Sequence, residues 1–324
     1  MNFLKDIVEE LTTYFETIDT TIKIEKLIPG LLPVPENYPE KFKTEQAEKK
    51  RLIRHQAINL LERFLNMKKR HVSCVRRQVF FSKALMQKIK ENYLDLEFIE
   101  VISIIKTELE SAIDVEPRLS KLVIRAKSND LMLSDWGIYH FHLKNTKENP
   151  TQYFFDRSGP LLFAYIPQNK NEAYFIDIVK DHKDPLVFAN QKLISIINQN
   201  WPSLLGDYRL NDIEAEISLT DQQRLDLRQK GINVIDQINN NPIFNPGGGI
   251  TSAGTSMSCN ISTNQIIREV QEIEIICKNA QRNYVPQQIP EYINFKMKLH
   301  NDCLVVKQYP DDKVVYEIAL KLHF

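Results

Sequence analysis

The chain has 324 residues, with 42 Lys and Arg balanced by 42 Asp and Glu, so its formal net charge at pH 7 is zero. This balance excludes a global electrostatic attraction to nucleic acid or to an anionic membrane, and any such attraction must come from a local cluster of charge. The length exceeds one typical domain, and the 43% hydrophobic content is ordinary for a globular protein. We therefore expect two or three packed cores.

The cysteines and the first residues of the chain indicate the cellular compartment in which we expect the protein. The four cysteines are far apart and form no CxxC pair, which argues against a zinc ribbon or a disulfide scaffold and favours a reducing environment. The opening MNFLKDIVEELTTYFETID carries acids where a signal peptide needs basic and then apolar residues. No apolar run approaches the roughly 20 residues of a membrane span. The expected location is the cytoplasm, without membrane association.

The first region, residues 1–120, is expected to be helical. Apolar residues recur at helical spacing over residues 1–25, 43–67, 80–92 and 96–113. The proline-rich stretch LIPGLLPVPENYPEKF separates the first two helices as an extended loop.

The second region, residues 121–205, changes to short runs of aromatic and β-branched residues. WGIYHFHL, GPLLFAYI and AYFIDIVKD are separated by polar turns and predict a three-stranded antiparallel meander. The following DPLVFANQKLISIINQNWP predicts a helix that ends at Pro202.

The third region, residues 206–324, is mixed. It contains a short helix capped by Ser218 or Thr220, a turn-rich loop and a longer helix with Ser262 and Gln265 as a capping box. A β-hairpin, DCLVVKQ followed by KVVYEIALKLHF, ends the region. The glycine-rich stretch 247–256 permits an anion cradle, but a flexible surface loop is the favoured interpretation. Helices, a meander, flanking helices and a hairpin together predict an α+β fold.

The predicted first strand of the meander places two histidines two positions apart. Because strand side chains alternate, Tyr139, Phe141 and Leu143 face one side as a core face. His140 and His142 then lie side by side on the other surface of the strand. The plain structural alternative is that both are polar residues of a half-exposed strand.

Two chemistries fit the groups that the meander brings near this pair. In the first, His140, His142 and His182 supply general acid and base, and Arg157 offsets phosphate charge, so that RNA is cleaved without a metal or other cofactor. In the second, the two histidines bind a divalent ion together with His182 or Asp177. Lys144 and Arg157 would repel such a cation, which favours the metal-free alternative.

The order of DWGIYHFHLK, RSGPLLFAYI and AYFIDIVKDHKDP before a helix resembles the core of RelE/ParE-type toxins over residues 130–200. His142, Lys144, Arg157 and His182 occupy places comparable to the positive residues of that family. The resemblance implies a ribonuclease activity. The chain departs from the family in its length, its neutral charge and its HxH pair.

A basic segment extends from residue 39 to residue 77, with 12 Lys and Arg against four Glu. Such a surface attracts the phosphate backbone of RNA. The candidate substrate-binding residues are Lys144 and five from this segment: Lys68, Lys69, Arg70, Arg76 and Arg77. The alternative is a solvated helix face, or a dock for the acidic stretch 86–116 of the same chain.

The expected partners are therefore RNA and either a neutralising protein or a second copy of the chain. An open strand edge in the C-terminal hairpin suits such an association. The rival to the enzymatic hypothesis is a protein-interaction module, in which the strand surface docks a partner and the histidines perform no chemistry.

Overall fold

The computed structural model describes residues 1–18, 45–210, 219–238, 241–283, 294–309, 311–320 and 322. Helices α1 to α8 span, in chain order, Phe3–Ile18, Glu45–Arg70, Lys83–Lys90, Leu96–Glu110, Leu131–Trp136, Lys192–Asn200, Asp221–Gln229 and Met257–Asn283. Strands β1 to β9 span Gln78–Phe81, Ile138–His142, Leu161–Tyr165, Glu172–Val179, Ile235–Ile238, Asn241–Phe244, Asn294–His300, Cys303–Tyr309 and Lys313–Ala319. The proline-rich loop predicted between α1 and α2, and the possible cap Ser218, lie outside the described residues.

The chain is an α+β protein, as predicted. Strands β2, β3 and β4 form the expected antiparallel meander, in a sheet of order β1-β4-β3-β2. The fourth strand, β1, pairs in parallel with β4 and lies in a region expected to be wholly helical. Its sequence QVFF is apolar and aromatic, and Ser82 caps the next helix by accepting a hydrogen bond from the backbone N–H of Leu85. The predicted helix at 80–92 is therefore shorter, Lys83–Lys90.

The region after residue 206 contains the predicted elements and some further strands. Thr220 caps α7 through a full capping box with Gln223. The predicted C-terminal hairpin is present as β8 and β9, and β7 adds a third antiparallel strand. Strands β5 and β6 form a second hairpin where a loop was expected. Ser262 is not a cap, because helix α8 begins five residues earlier and Ser262 is fully buried within it.

Two compact units divide the chain: residues 1–68, 124–127 and 259–324 form the first, and residues 69–123 and 128–258 form the second. The regions predicted at 1–120, 121–205 and 206–324 follow changes of composition along the sequence. The units follow packing instead, so the two divisions cut the chain at different places. No helix in the described ranges has both the length and the apolar character needed to cross a membrane.

The first unit packs α1, α2 and α8 with the three-stranded sheet β7-β8-β9. Phe3, Ile7, Leu11 and Phe15 recur every four residues in α1 and are fully buried, so they form one apolar stripe. Asp6 in the same helix accepts a hydrogen bond from the backbone N–H of Met297 at 3.0 Å, which ties α1 to strand β7.

The second unit covers both faces of its four-stranded sheet. Tyr139, Phe141 and Leu143 lie in one apolar cluster, together with buried residues of α4. Ile138, on the opposite face, lies in a second cluster with Trp136 and buried residues of α6. The alternation predicted for β2 is therefore confirmed. The face that carries the histidines is largely covered, which differs from the half-exposed strand of the plain structural alternative.

The glycine-rich stretch 247–256 is packed rather than being the flexible surface loop expected. Gly247 donates its backbone N–H to the carbonyl of Asp135 at 2.8 Å, and Gly249 donates to Ser134 at 2.9 Å. A Cβ on Gly247 would lie 2.3 Å from the Leu133 carbonyl oxygen, so a larger residue cannot fit without backbone movement. Because these two amides already serve backbone carbonyls, they do not form the anion cradle considered above.

A buried charge cluster holds helix α7 against α5. The guanidinium groups of Arg224 and Arg228 both lie near the ring of Trp136, at 4.6 and 4.3 Å from the ring centroid. Asp135 accepts hydrogen bonds from both arginines, and Asp236 accepts one from the indole N–H at 2.8 Å. This cluster fixes Arg228, which lies in the wall of the cavity described below.

Candidate functional site

His140 lies near the middle of β2, opposite Phe163 of β3. Its side chain keeps 18% of its exposure, and its Nδ1 lies 3.7 Å from Oδ2 of Asp130. The ring packs edge-on against Phe188, with centroids 5.3 Å apart. Burial lowers the pKa of His140; Asp130 opposes that effect, while His182 and Arg157 add to it.

His142 ends the same strand and is buried. Its Nδ1 accepts a hydrogen bond from the backbone N–H of Ser158 at 3.4 Å, so the ring proton of the neutral form lies on Nε2. Burial, followed by the neighbouring His140, His182 and Arg157, lowers the pKa of His142 to about 4. This imidazole therefore stays neutral throughout the physiological range.

His182 follows β4, and its ring lies near those of His142 and Phe188. Its ring lies edge-on to that of His142, with centroids 5.5 Å apart, and 6.4 Å from the ring of Phe188. Its Nδ1 is 2.8 Å from the carbonyl oxygen of Gly159. A carbonyl can only accept, so Nδ1 carries a proton and Nε2 is the atom left for chemistry.

Arg157 is exposed at the start of the segment that leads into β3. Its Nη2 lies 3.3 Å from the hydroxyl of Ser120, a residue that lines the cavity. The structure therefore brings together the four residues predicted as catalytic: three imidazoles in mutual contact or joined through Phe188, and one arginine close enough to lower the pKa of two of them.

A cavity of about 320 Å³ opens beside His140. Its walls are largely apolar and include Leu122, Phe188 and Leu225. Asp130 and Arg228 supply polar groups of opposite charge. A mainly apolar recess with a few polar groups, next to titratable residues of shifted pKa, is the usual form of a small-ligand or substrate site.

The basic segment does not form one continuous surface for RNA. Lys69, Arg70 and Arg77 are buried, which differs from the substrate-binding role expected for them. The ammonium of Lys69 donates to the carbonyl of Gly247 and to the hydroxyls of Ser256 and Ser258, so it holds the glycine-rich stretch.

The guanidinium groups of Arg70 and Arg77 also bind the protein itself. Arg70 donates to the carbonyl of Leu122, and Arg77 donates to the backbone and hydroxyl of Ser73. The low exposure of both residues leaves them little surface for a phosphate backbone.

The remaining predicted substrate-binding residues lie nearer the surface. Lys68 pairs with Asp302 at 2.8 Å within the first unit. Arg76 and Lys144 are exposed, and the Nε of Arg76 donates to the carbonyl of Glu110. Lys144 keeps its ammonium on the surface at the end of β2, so its predicted role stays a prediction.

Asp177, considered as a metal ligand, is engaged elsewhere. It is buried in β4 and pairs with Lys88 at 2.7 Å. Within the described ranges, no three His, Cys, Asp or Glu side chains are arranged to hold a metal ion. The charged and titratable groups around His140 are Asp130, His182 and Arg157, and the positive charge of the arginine opposes binding of a cation there.

The sequence did not point to Asp130 or Phe188. Asp130 precedes α5 and caps it by accepting a hydrogen bond from the backbone N–H of Leu133 at 2.9 Å, an ordinary structural use. The sequence NDLML predicts Asp130 as a helix cap. The position of its second carboxylate oxygen near His140 depends on tertiary structure and could not be predicted. Phe188 lies in a short 3-10 turn, and its contacts with two histidines also depend on tertiary packing.

Comparisons of the chain with protein-family models, curated proteins and solved structures find no match.

Proposed function

We propose that this protein is a metal-free ribonuclease. The observation that supports it most directly is the grouping of His140, which lines an apolar cavity, with His182 and Arg157, whose charges act on its imidazole. Histidines supply both proton acceptor and proton donor near neutral pH, and arginine stabilises the negative charge of a phosphate in the transition state. The resemblance to the RelE/ParE-type core supports the same class of reaction.

In this proposal His140 is the general base. Asp130 faces Nδ1, which favours the tautomer with a proton on that nitrogen and leaves Nε2 with its lone pair. The lowered pKa of His140 keeps the ring neutral, and therefore able to accept a proton. The 3.7 Å separation is longer than a hydrogen bond, as is common for a catalytic pair without substrate.

His182 is the general acid, and Arg157 binds the phosphate. A protonated His182 donates from Nε2, because Nδ1 is already committed to the Gly159 carbonyl. His142 is buried behind it and is a positioning residue, since a neutral imidazole holds the ring of His182 without competing for its proton.

The reaction balances without an added cofactor. The ribose 2′-oxygen forms a bond to phosphorus as His140 removes its proton. The bond from phosphorus to the 5′-oxygen breaks, and His182 protonates that leaving oxygen. The products are a 2′,3′-cyclic phosphate and a free 5′-hydroxyl, and solvent resets the two histidines. An unpaired strand is the proposed substrate, because its 2′-hydroxyl and base can turn into the site.

Cleavage of single-stranded RNA oligonucleotides in the presence of EDTA tests the proposal. His140→Ala and His182→Ala should each lower the rate by about 10²–10⁴-fold, the usual contribution of a proton-transfer group. His300→Ala, at an exposed histidine of β7, is the matched control and should cleave at the wild-type rate. Wild-type activity in a His140→Ala, His182→Ala double variant would exclude this mechanism. Loss of cleavage with EDTA, restored by a divalent metal, would support a metal-dependent hydrolase instead.

A further inference from the structure

The cavity beside His140 is large enough for a two-ring organic molecule. Its volume of about 320 Å³ is about twice the roughly 150 Å³ that holds one benzene ring in an engineered protein core. Leu119, Val123 and Met132 are buried in its wall. Leu122 also lines the cavity and is 43% exposed, so the recess opens to solvent on that side. The cavity therefore offers an apolar ligand both a surface to bury and a way in.

The two arginines in the wall are engaged with the protein itself. The Nε of Arg228 donates to Asp135 at 2.8 Å, its Nη1 donates to the carbonyl of Phe188, and its Nη2 is buried. Arg70 is also buried, and its Nη1 donates to the Leu122 carbonyl at 2.6 Å. A ligand carboxylate or phosphate would therefore meet guanidinium groups that are already bound to other acceptors, so the cavity does not favour an anion.

Asp130 gives the wall a carboxylate oxygen that a ligand can use. Its Oδ1 accepts a hydrogen bond from the backbone N–H of Leu133 at 2.9 Å. Its Oδ2 has no hydrogen-bond donor among the described residues, since the Nδ1 of His140 is 3.7 Å away. The side chain of Asp130 is 25% exposed, so this oxygen is accessible. A charged acceptor beside apolar walls forms a strong hydrogen bond with an N–H or O–H donor.

A neutral donor fits this position better than a cation. A cation would lie near the guanidinium groups of Arg70 and Arg228, and near Arg157, whose charge already acts on His140. A neutral N–H or O–H group avoids this repulsion. The ring of Phe188 lines the cavity and gives a surface against which a flat ring can pack. A rigid ring system also loses little conformational entropy when it binds.

We propose that this cavity binds a small neutral aromatic molecule, whose single N–H or O–H group donates to Oδ2 of Asp130 and whose ring packs against Phe188. The ligand also lies beside the imidazole of His140, because His140 and Phe188 line the same cavity and their rings are in contact. The proposal is independent of the ribonuclease function, since binding alone tests it.

Calorimetric titration with indole and with benzofuran is the first test. The two probes have the same bicyclic shape, but benzofuran carries a ring oxygen where indole carries its N–H group. Indole should bind about tenfold more tightly, the usual effect of one hydrogen bond to a charged acceptor. Equal or tighter binding of benzofuran, or no binding of indole, would overturn the proposal.

Asp130→Asn removes the acceptor while it keeps the helix cap, because asparagine caps helices about as well as aspartate. The amide oxygen is needed for the Leu133 N–H, so the amide NH₂ group takes the place of Oδ2 and cannot accept. Indole should bind about tenfold more weakly to this variant, and benzofuran should bind as it does to the wild type. Asp226→Asn, at an exposed aspartate outside the cavity, is the matched control and should leave both affinities unchanged. Unchanged indole affinity in Asp130→Asn would contradict the proposal.

NMR of protein labelled with [methyl-¹³C]methionine locates the bound probe. Met132 lines the cavity and is 2% exposed, whereas Met86 lies outside it and is 41% exposed. The ring current of bound indole should shift the methyl signal of Met132, which Met132→Leu identifies, and should leave the signal of Met86 in place. A shift of the Met86 signal without a shift of the Met132 signal would place the probe elsewhere and reject the site.

Discussion

Oδ2 of Asp130 lies 3.7 Å from Nδ1 of His140, and it is the carboxylate that raises the pKa of that buried imidazole against the lowering effect of burial. This pairing has a consequence for pH dependence. Asp130→Asn removes the raising effect, so the pKa of His140 falls further below its usual value. Because a general base must be neutral, the acidic limb of kcat/KM should move to lower pH.

The plateau rate of Asp130→Asn should also fall, by less than the roughly 10²–10⁴-fold lost when the base itself is removed. The measurement is cleavage of an RNA oligonucleotide between about pH 4 and pH 8. Asp226→Asn, at an exposed aspartate of α7, is the control and should leave the profile unchanged. A shift of the acidic limb to higher pH would contradict the role assigned to Asp130.

His142 is expected to make the fold sensitive to acid. Burial holds its pKa at about 4, below the usual value of about 6.5, so the unfolded chain binds the proton more readily. The contribution of neutral His142 to the free energy of unfolding is therefore fully present above pH 6.5 and is lost as pH falls through 4, by about 3.5 kcal/mol at most, since each pKa unit corresponds to roughly 1.4 kcal/mol. His142→Gln keeps an acceptor for the Ser158 amide and should show a smaller loss. Urea unfolding at pH 7 and pH 4.5 measures the loss for each protein, and the control His300→Gln should lose as much as the wild type. An equal loss in the wild type and in His142→Gln would contradict the role assigned to His142.

Asp135 is expected to be essential to the stability of the second unit. It accepts hydrogen bonds from Arg224 and Arg228, both nearly fully buried. Asp135→Ala removes a carboxylate that neutralises two buried guanidinium groups. Removing one partner from a buried ion pair typically lowers the free energy of unfolding by about 3–5 kcal/mol. Denaturant unfolding should show this loss, whereas Asp226→Ala should stay within about 0.5 kcal/mol of the wild type. A near-neutral Asp135→Ala would mean that water or Asp236 compensates both arginines.

Gly247 should tolerate no side chain. A Cβ there would come within 2.7 Å of three backbone atoms, including the Gly137 nitrogen. Gly247→Ala is therefore expected to lower the unfolding midpoint markedly or to prevent folding. Gly206→Ala is the matched control, since nothing lies within 4 Å of the added carbon and its substitution should be neutral. Equal midpoints for the two variants would show that the glycine-rich stretch is looser than its packing indicates.

Lys69 and Lys68 are adjacent in sequence but should behave differently. Lys69 is buried and its ammonium has three acceptors, so Lys69→Met leaves those acceptors unsatisfied and should destabilise the protein. Lys68→Met removes a surface ion pair with Asp302, which is worth about 0–1 kcal/mol. Thermal unfolding of the two variants compares these effects, and a larger loss in Lys68→Met would contradict the assignment.

Local patterns predicted much of the fold. The alternation in β2 identified which side chains share a face, and the apolar stripe of α1 identified its buried residues, because both depend only on the period of the element. The exposure of the histidine face was not predictable in the same way. It depends on helix α6, which covers that face with Ile194 and Ile197 from a distant part of the chain.

The residues of the candidate site also fall into two groups: those that sequence order identifies, and those that only tertiary packing brings to the site. The four predicted catalytic residues lie in β2 or in the segments next to β3 and β4, which the meander brings together, so sequence order was informative about them. Asp130, Phe188 and Arg228 come from a helix cap, a turn and a separate helix, and only packing places them around one cavity. The burial of Lys69 could not be predicted either. Its three acceptor oxygens lie on residues far along the chain, and a run of basic residues does not indicate which member of the run they surround.

The division into units sets an order in which the protein can fold during synthesis. All of the candidate site lies in the unit that ends at Ser258, so it can be complete before residues 259–324 leave the ribosome. The stripe of α1 packs in one cluster with Leu304 and Val306, which are translated after the whole of the second unit. Until β8 is made, the apolar face of α1 therefore has only α2 and α8 to pack against, and the core of the first unit stays incomplete.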